Sequence, residues 1–131
     1  MQIQGIDHIV LTARDLTATL AFYQDVLGMR VETFGKQRKA LIFGQQKINL
    51  HQQGQEFEPK AALPTPGSQD LCFIATTPLA QVIAHLQRCG VAVLEGPAAR
   101  TGATGTIRSV YFRDPDGNLI EVSNYEQQQA D

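Results

Sequence analysis

The sequence predicts an α+β chain: two tandem β-α-β-β-β modules related by pseudo-two-fold symmetry, with mixed sheets cupped around a central cavity. Three observations carry this reading. Runs of period-two apolar alternation and one amphipathic stretch occur in the same order twice. Each amphipathic stretch ends on a glycine, Gly28 or Gly90, the residue that most readily takes the left-handed helix stop. His8 lies twenty positions before Gly28 and Asp70 twenty before Gly90, so strand, helix and stop align without a gap. A unit found twice points to a symmetric pair and not to a solenoid. The 131 residues suit one domain, 1–131, with module 1 over about 1–53, a linker over about 54–69, module 2 over about 70–125 and a tail over 126–131.

The chain opens on GIDHIVLTARDL, in which Ile9 and Leu11 share one face of a strand and His8, Val10 and Thr12 the other. Asp15 or Thr17 then caps a helix whose apolar positions Leu20, Phe22, Tyr23, Val26 and Leu27 recur at helical spacing. Residues 29–34 alternate as the next strand. Residues 39–43 and 47–52 read as a hairpin around Gly44, Gln45 and Gln46. The stretch 54–69 holds Pro59, Pro64 and Pro66 without a periodic pattern, which makes it the connection, of a length that often serves function. The second module repeats the plan with a strand over 70–76 and a helix over 79–89 that turns Leu79, Val82, Ile83 and Leu86 inward. A strand over 91–94, a Gly-rich loop over 96–105 and a hairpin of 106–113 with 118–125 complete it.

Composition narrows the function classes. Charged residues at 18% and hydrophobic ones at 43% place the chain with globular domains, away from disordered and membrane classes. A net charge of -2 with scattered Lys and Arg argues against nucleic acid and anionic membrane as partners and favours a small molecule. The opening MQIQGIDHIVL lacks a secretory pattern and no apolar run spans a bilayer, so a cytoplasmic location is expected. Cys72 and Cys89 lack paired-thiol or zinc-finger spacing and are expected as buried small hydrophobes. Four-stranded modules leave open edges, from which a homodimer is expected.

The candidate site comes from the repeat. His8 and Asp70 open the first strands of their modules. His51 lies eight positions after Phe43 and Glu121 nine after Phe112, which pairs His51 with Glu121 and puts the extra residue in the turn Asp114-Pro115-Asp116-Gly117. Ile48, Leu50, Ile120 and Val122 take the opposite face, so His51 and Glu121 project with the polar side of the sheet. Two imidazoles with one or two carboxylates suit Ni, Zn, Co, Mn or Fe(II), and two histidines with one carboxylate form a facial triad with open positions. His8, His51 and Glu121 are therefore expected as ligands, against the alternative of ordinary hydrogen-bonded strand residues. Asp70 is either a fourth ligand or the acceptor that orients a histidine. Arg100 and Thr101 in the Gly-rich loop, and Arg108 on the strand after it, are candidates for an anionic substrate group.

DHIVLTARDL at the opening, FYQDVLGMRV across the helix end and YFRDPDGNLIEV near the close together resemble the vicinal oxygen chelate superfamily, whose members include glyoxalase I, extradiol dioxygenases and the fosfomycin and bleomycin resistance proteins. The resemblance spans nearly the whole chain and is nearest to small lactoylglutathione lyase-like, glyoxalase domain-containing proteins. It implies that His8, His51 and Glu121 fall on metal-ligand positions. There is one departure: Asp70 stands where glyoxalase I and fosfomycin-resistance enzymes commonly carry histidine; glyoxalase I commonly carries a carboxylate or glutamine at the position of His51, so the histidines here are differently distributed. The implied activity is a metal-dependent lyase or isomerase that acts on a small substrate with vicinal oxygens, of hemithioacetal or α-oxo type, through an enediolate, with Glu121 as ligand and base. An Fe(II) extradiol-type dioxygenase and a metal-free, ligand-sequestering protein of the bleomycin-resistance type are the alternatives. Ring-cleaving relatives use further histidines, and here only His85 remains, on a helix and expected to be exposed. Ligands in this family come from one chain or are shared between two.

Overall fold

Two four-stranded mixed sheets, each carrying one helix, make up the computed structural model, in which residues 1–126 are described. The first module runs β1 (His8–Ala13), α1 (Leu16–Asp25), β2 (Arg30–Phe34), β3 (Arg38–Phe43) and β4 (Gln46–Gln52), and its strands lie in the order β1-β4-β3-β2. The second runs β5 (Asp70–Ile74), α2 (Leu79–Arg88), β6 (Glu95–Thr101), β7 (Thr106–Arg113) and β8 (Leu119–Tyr125), in the order β5-β8-β7-β6. In both, the opening strand pairs parallel with the closing one and the other pairings are antiparallel. The chain is thus α+β with two tandem β-α-β-β-β modules. It divides into one compact unit of Met1–Gln69 with Pro115–Gly117 and another of Asp70–Asp114 with the chain from Asn118 onward.

In the first unit, period-two alternation puts Leu11, Ala13, Leu41, Ile48 and Leu50 on one buried face, against which α1 packs. Full burial of a side chain such as Leu41 or Ile48 contributes roughly 1.5–3 kcal/mol. Asp15 caps α1 by accepting from the Ala18 amide at 3.2 Å. Gly28 ends it at φ +69°, where the Met29 amide reaches back to the Tyr23 carbonyl at 3.0 Å. In the second unit Val110, Phe112, Ile120 and Val122 form the buried face and Leu86 is the buried residue of α2.

Three expectations are corrected. Residues 91–94 form no strand; β6 instead occupies 95–101, where a Gly-rich loop was expected. Gly96 and Pro97 read as breakers, but β6 is an edge strand and its register shifts between Glu95 and Ala98, a bulge that absorbs both residues. Gly96 sits there at φ +110° hard against the Ser109 carbonyl, a position only glycine fills. Cys72 and Cys89 are exposed rather than buried, and His85 is half-buried rather than exposed. Of the tail expected over 126–131, Glu126 donates its amide to the Thr106 carbonyl at 3.0 Å, and 127–131 lie outside the described residues. Among the described residues no helix is long and apolar enough to cross a membrane.

Candidate functional site

Strand register decides which polar residues correspond between the modules. His8, Val10 and Thr12 pair with Lys47, Asn49 and His51, while Asp70, Cys72 and Ile74 pair with Leu119, Glu121 and Ser123. Asp70 thus matches His8, as expected, but Glu121 matches Asn49, and His51 matches Ser123. The expected pairing of His51 with Glu121 is corrected by two residues along the strand. The helix caps confirm the shift independently. Gln52 accepts from the Leu16 amide at 3.0 Å and donates to the Arg14 carbonyl at 2.6 Å, at the start of α1. Its counterpart Asn124 accepts from the Leu79 amide at 2.8 Å and donates to the Ala75 and Thr77 carbonyls, at the start of α2.

In the second unit Glu121 lines a cavity of about 420 Å³ together with Cys72, Arg100, Thr101, Tyr111 and Tyr125. The buried Ser109 hydroxyl donates to Glu121 Oε2 at 2.5 Å and lies 2.6 Å from the Ser123 hydroxyl, which in turn stands 3.3 Å from Cys72 Sγ. Arg100 Nε donates to the Tyr111 hydroxyl at 3.0 Å while its Nη2 is held by Glu95 at 2.7 Å. Burial pushes the Tyr111 phenol up, against the opposing Arg100 hydrogen bond, so the phenol stays protonated. Desolvation likewise pushes the Cys72 thiol up, which leaves it a weak nucleophile.

In the first unit His51 is only 2% exposed and lines a second cavity, of about 390 Å³, with Thr12, Lys60, Thr65, Ser68 and Gln69. Among the described residues neither ring nitrogen of His51 has a hydrogen-bond partner, and the same holds for Oδ1 of the buried Asn49. Left without any partner, such groups would cost roughly 1–3 kcal/mol each. Phe57 meets the imidazole edge-on at 5.7 Å, and the Arg38 guanidinium lies 4.7 Å from the Phe57 ring and 5.2 Å from the Phe34 ring. Burial first, then Arg38 and Lys60 against the pull of Glu56, hold His51 below the usual histidine range. A neutral imidazole offers one donor and one acceptor.

The other expected residues lie as follows. His8 is partly exposed, and its Nδ1 is 2.8 Å from Asp7 Oδ1, which leaves Nε2 for another partner. Four register steps, about 13 Å along the strand, separate it from the level of His51, so the two histidines are not brought together. Asp70 is exposed at the opening of β5, diagonal to Glu121. Arg100 and Thr101 reach the Glu121 cavity, whereas Arg108 pairs with Asn124 on the opposite face of the sheet. Among the described residues no group of three or more His, Cys, Asp or Glu gathers closely enough to hold an ion.

A family model described as Glyoxalase/Bleomycin resistance protein/Dioxygenase superfamily matches residues 5–122. The chain belongs to this superfamily. It is similar to Virulence protein STM3117 of Salmonella typhimurium, 60% identical over 95% of this chain and 87% of the other. The crystal structure of that protein matches with a TM-score of 0.95 over 96% of this chain and 100% of the other. Glyoxalase domain-containing protein RDO1 of Mycosarcoma maydis is 56% identical over 96% of this chain and 71% of its own. A lactoylglutathione lyase from Agrobacterium tumefaciens is 26% identical, with a TM-score of 0.72 over 95% of this chain and 96% of the other.

Within this superfamily fold, the residues that sequence reasoning passed over are Asn49, Lys60, Ser109 and Tyr111. Asn49 had a signal: Ile48-Asn49-Leu50 and Ile120-Glu121-Val122 repeat the same apolar-polar-apolar triplet at the same register level. Ser109 and Tyr111 had none, because their role depends on β7 pairing with β8.

Proposed function

We propose a metal-dependent, glyoxalase-like lyase or isomerase that acts on a small hemithioacetal or α-oxo substrate, with Glu121 as the carboxylate that moves the proton. The observation that carries this reading is the Glu121 carboxylate on the wall of a ligand-sized cavity, its Oε2 held by the Ser109 hydroxyl at 2.5 Å. With Oε2 committed to Ser109, Oε1 takes the proton from the carbon beside the substrate carbonyl and returns it to the neighbouring carbon. Tyr111, protonated and anchored by Arg100, keeps a donor beside that carboxylate, while Ile74, Ile107 and Tyr125 supply apolar lining. A divalent ion, when bound, would supply Lewis-acid polarisation to the substrate. Its donors would be drawn from His8, His51 and Glu121, with Asp70 as a candidate fourth, from one chain or shared between two. The likeness to a lactoylglutathione lyase supports the reaction class. We place the protein in the cytoplasm as a homodimer joined through its open sheet edges. Turnover of hemithioacetals of small 2-oxoaldehydes, assayed with Ni, Zn, Co and Mn in turn, tests the proposal. Activity with one of these metals that disappears in Glu121→Gln is expected, and no turnover with any of them sinks it.

A further inference from the structure

The cavity over His51 has a composition of its own. Among the described residues that line it, Lys60 alone is charged. The two nearby carboxylates of the 54–69 segment are otherwise engaged: Glu56 accepts from the Gly54 amide at 2.8 Å, and Glu58, three-quarters exposed, lies 3.4 Å from the Lys60 ammonium. Thr65 and Ser68 donate their hydroxyl hydrogens to the Leu63 and Thr65 carbonyls, at 2.9 and 2.7 Å, so toward the cavity their oxygens offer lone pairs. His51 adds one donor and one acceptor, neither of them used within the protein. A cation and an N–H on one hand, and several acceptors on the other, match a ligand that is an anion on one atom and a hydroxyl donor on the next.

We infer that this cavity binds the carboxylate of a small 2-hydroxy acid, Lys60 meeting the carboxylate and His51 bridging carboxylate and hydroxyl. The carboxylate takes the Lys60 ammonium and one His51 N–H, and the adjacent hydroxyl donates to the other imidazole nitrogen or to Thr65 or Ser68. The volume of about 390 Å³ is at the small end of ligand sites and suits such a molecule. Two glycines set the path of the 54–69 segment. Gly54 turns at φ +84° under the Glu56 carboxylate, and Gly67, at φ +79°, runs so close to the Asp116 carbonyl that no side chain fits. Only in regarding the acid as an arm of the substrate does this inference rest on the proposed glyoxalase-like reaction.

The test uses full-length, chelator-treated protein, labelled with ¹⁵N, titrated with lactate, with propionate as the analogue lacking the hydroxyl and with lactamide as the neutral analogue. Lactate is expected to give saturable shifts at Thr12, at the His51 ring nitrogens and along 59–69. Propionate is expected to bind several-fold more weakly and lactamide not measurably. Lys60→Gln should weaken lactate by about tenfold or more, Lys60→Arg should retain most of the binding, and Lys39→Gln, a cation outside the cavity, should change nothing. His51→Gln should abolish the preference of lactate over propionate. Equal binding of lactamide, unchanged lactate binding in Lys60→Gln, or shifts confined to other parts of the chain overturn the inference. Because no metal and no turnover enter the measurement, an enzyme that fails every hemithioacetal assay yet binds lactate in this way removes the proposed reaction and leaves this site standing.

Discussion

Replacing His51 by glutamine should flatten the acid side of the stability curve. Burial, reinforced by Arg38 and Lys60, holds the native imidazole below the usual histidine value, while the unfolded chain titrates near about 6.5. As the pH falls through that value the unfolded state takes up a proton at His51 that the native state refuses, so the unfolded chain binds more protons and stability drops with falling pH. Above it both states are neutral there and the residue adds no pH dependence. Once the pH passes below the native value both states are protonated and the loss stops growing. Between the two values the slope approaches about 1.4 kcal/mol per pH unit, the limit for one proton. Urea unfolding followed by circular dichroism, in chelator and at half-unit intervals, yields the free energies of wild type and His51→Gln. Their difference removes every other titrating group, and it should favour the variant progressively as the solution is acidified from neutrality. Lys60→Gln removes one of the charges that depress the imidazole, so its loss on acidification should be smaller than that of wild type. Parallel wild-type and His51→Gln curves across the acidic range would refute the account of a buried, neutral and unpaired imidazole.

Three further outcomes follow from the hydrogen-bond geometry. Glu121→Gln keeps the side chain's shape but removes its basicity, so steady-state turnover in the metal-loaded enzyme should fall by about 10²–10⁴ with the urea midpoint almost unmoved. Ser109→Ala deletes the hydroxyl that joins Glu121 and Ser123 in a buried position, and unfolding should register a loss of roughly 1–3 kcal/mol. Gln52→Ala and Asn124→Ala each strip a cap from the start of their module's helix; each should cost about 0.5–2 kcal/mol, and backbone hydrogen exchange should accelerate first in the opening turn of α1 or of α2, respectively.

Most of the fold is legible because period and punctuation agree. Ile9 and Leu11 against His8, Val10 and Thr12 give the pleat of β1, and Gly28 and Gly90 fix both helix ends at positive φ. The failure at β6 has a physical cause. Gly96 and Pro97 are penalised within a paired strand, but β6 is paired only with β7, and a bulge accommodates the proline and the close approach to Ser109. That an edge is available there depends on strand order in space, which local pattern does not encode. The exposure of Cys72 has a similar origin. It alternates correctly with Leu71 and Phe73, but the face it takes is the polar one shared with Glu121 and Ser123.

The candidate site shows how a repeat argument can be right about a face and wrong about a position. Matching Phe43 to Phe112 rests on residue type, whereas register matches Phe43 to Asp114, two positions on. A slip of two residues leaves a strand's side chains on the same face, because the pleat repeats every second residue. His51 therefore still projects from the polar side, as expected, although its counterpart is Ser123 and not Glu121. The consequence is chemical. The closing position equivalent to Glu121 is held by Asn49, a neutral group with an unpaired buried oxygen, so the two modules do not contribute equal charge to equivalent places. His51 sits two residues further along, beside the 54–69 segment, with a lysine and without a carboxylate among the described residues that line its cavity. Those surroundings suit an imidazole that binds an organic anion, with one donor and one acceptor left unused by the protein.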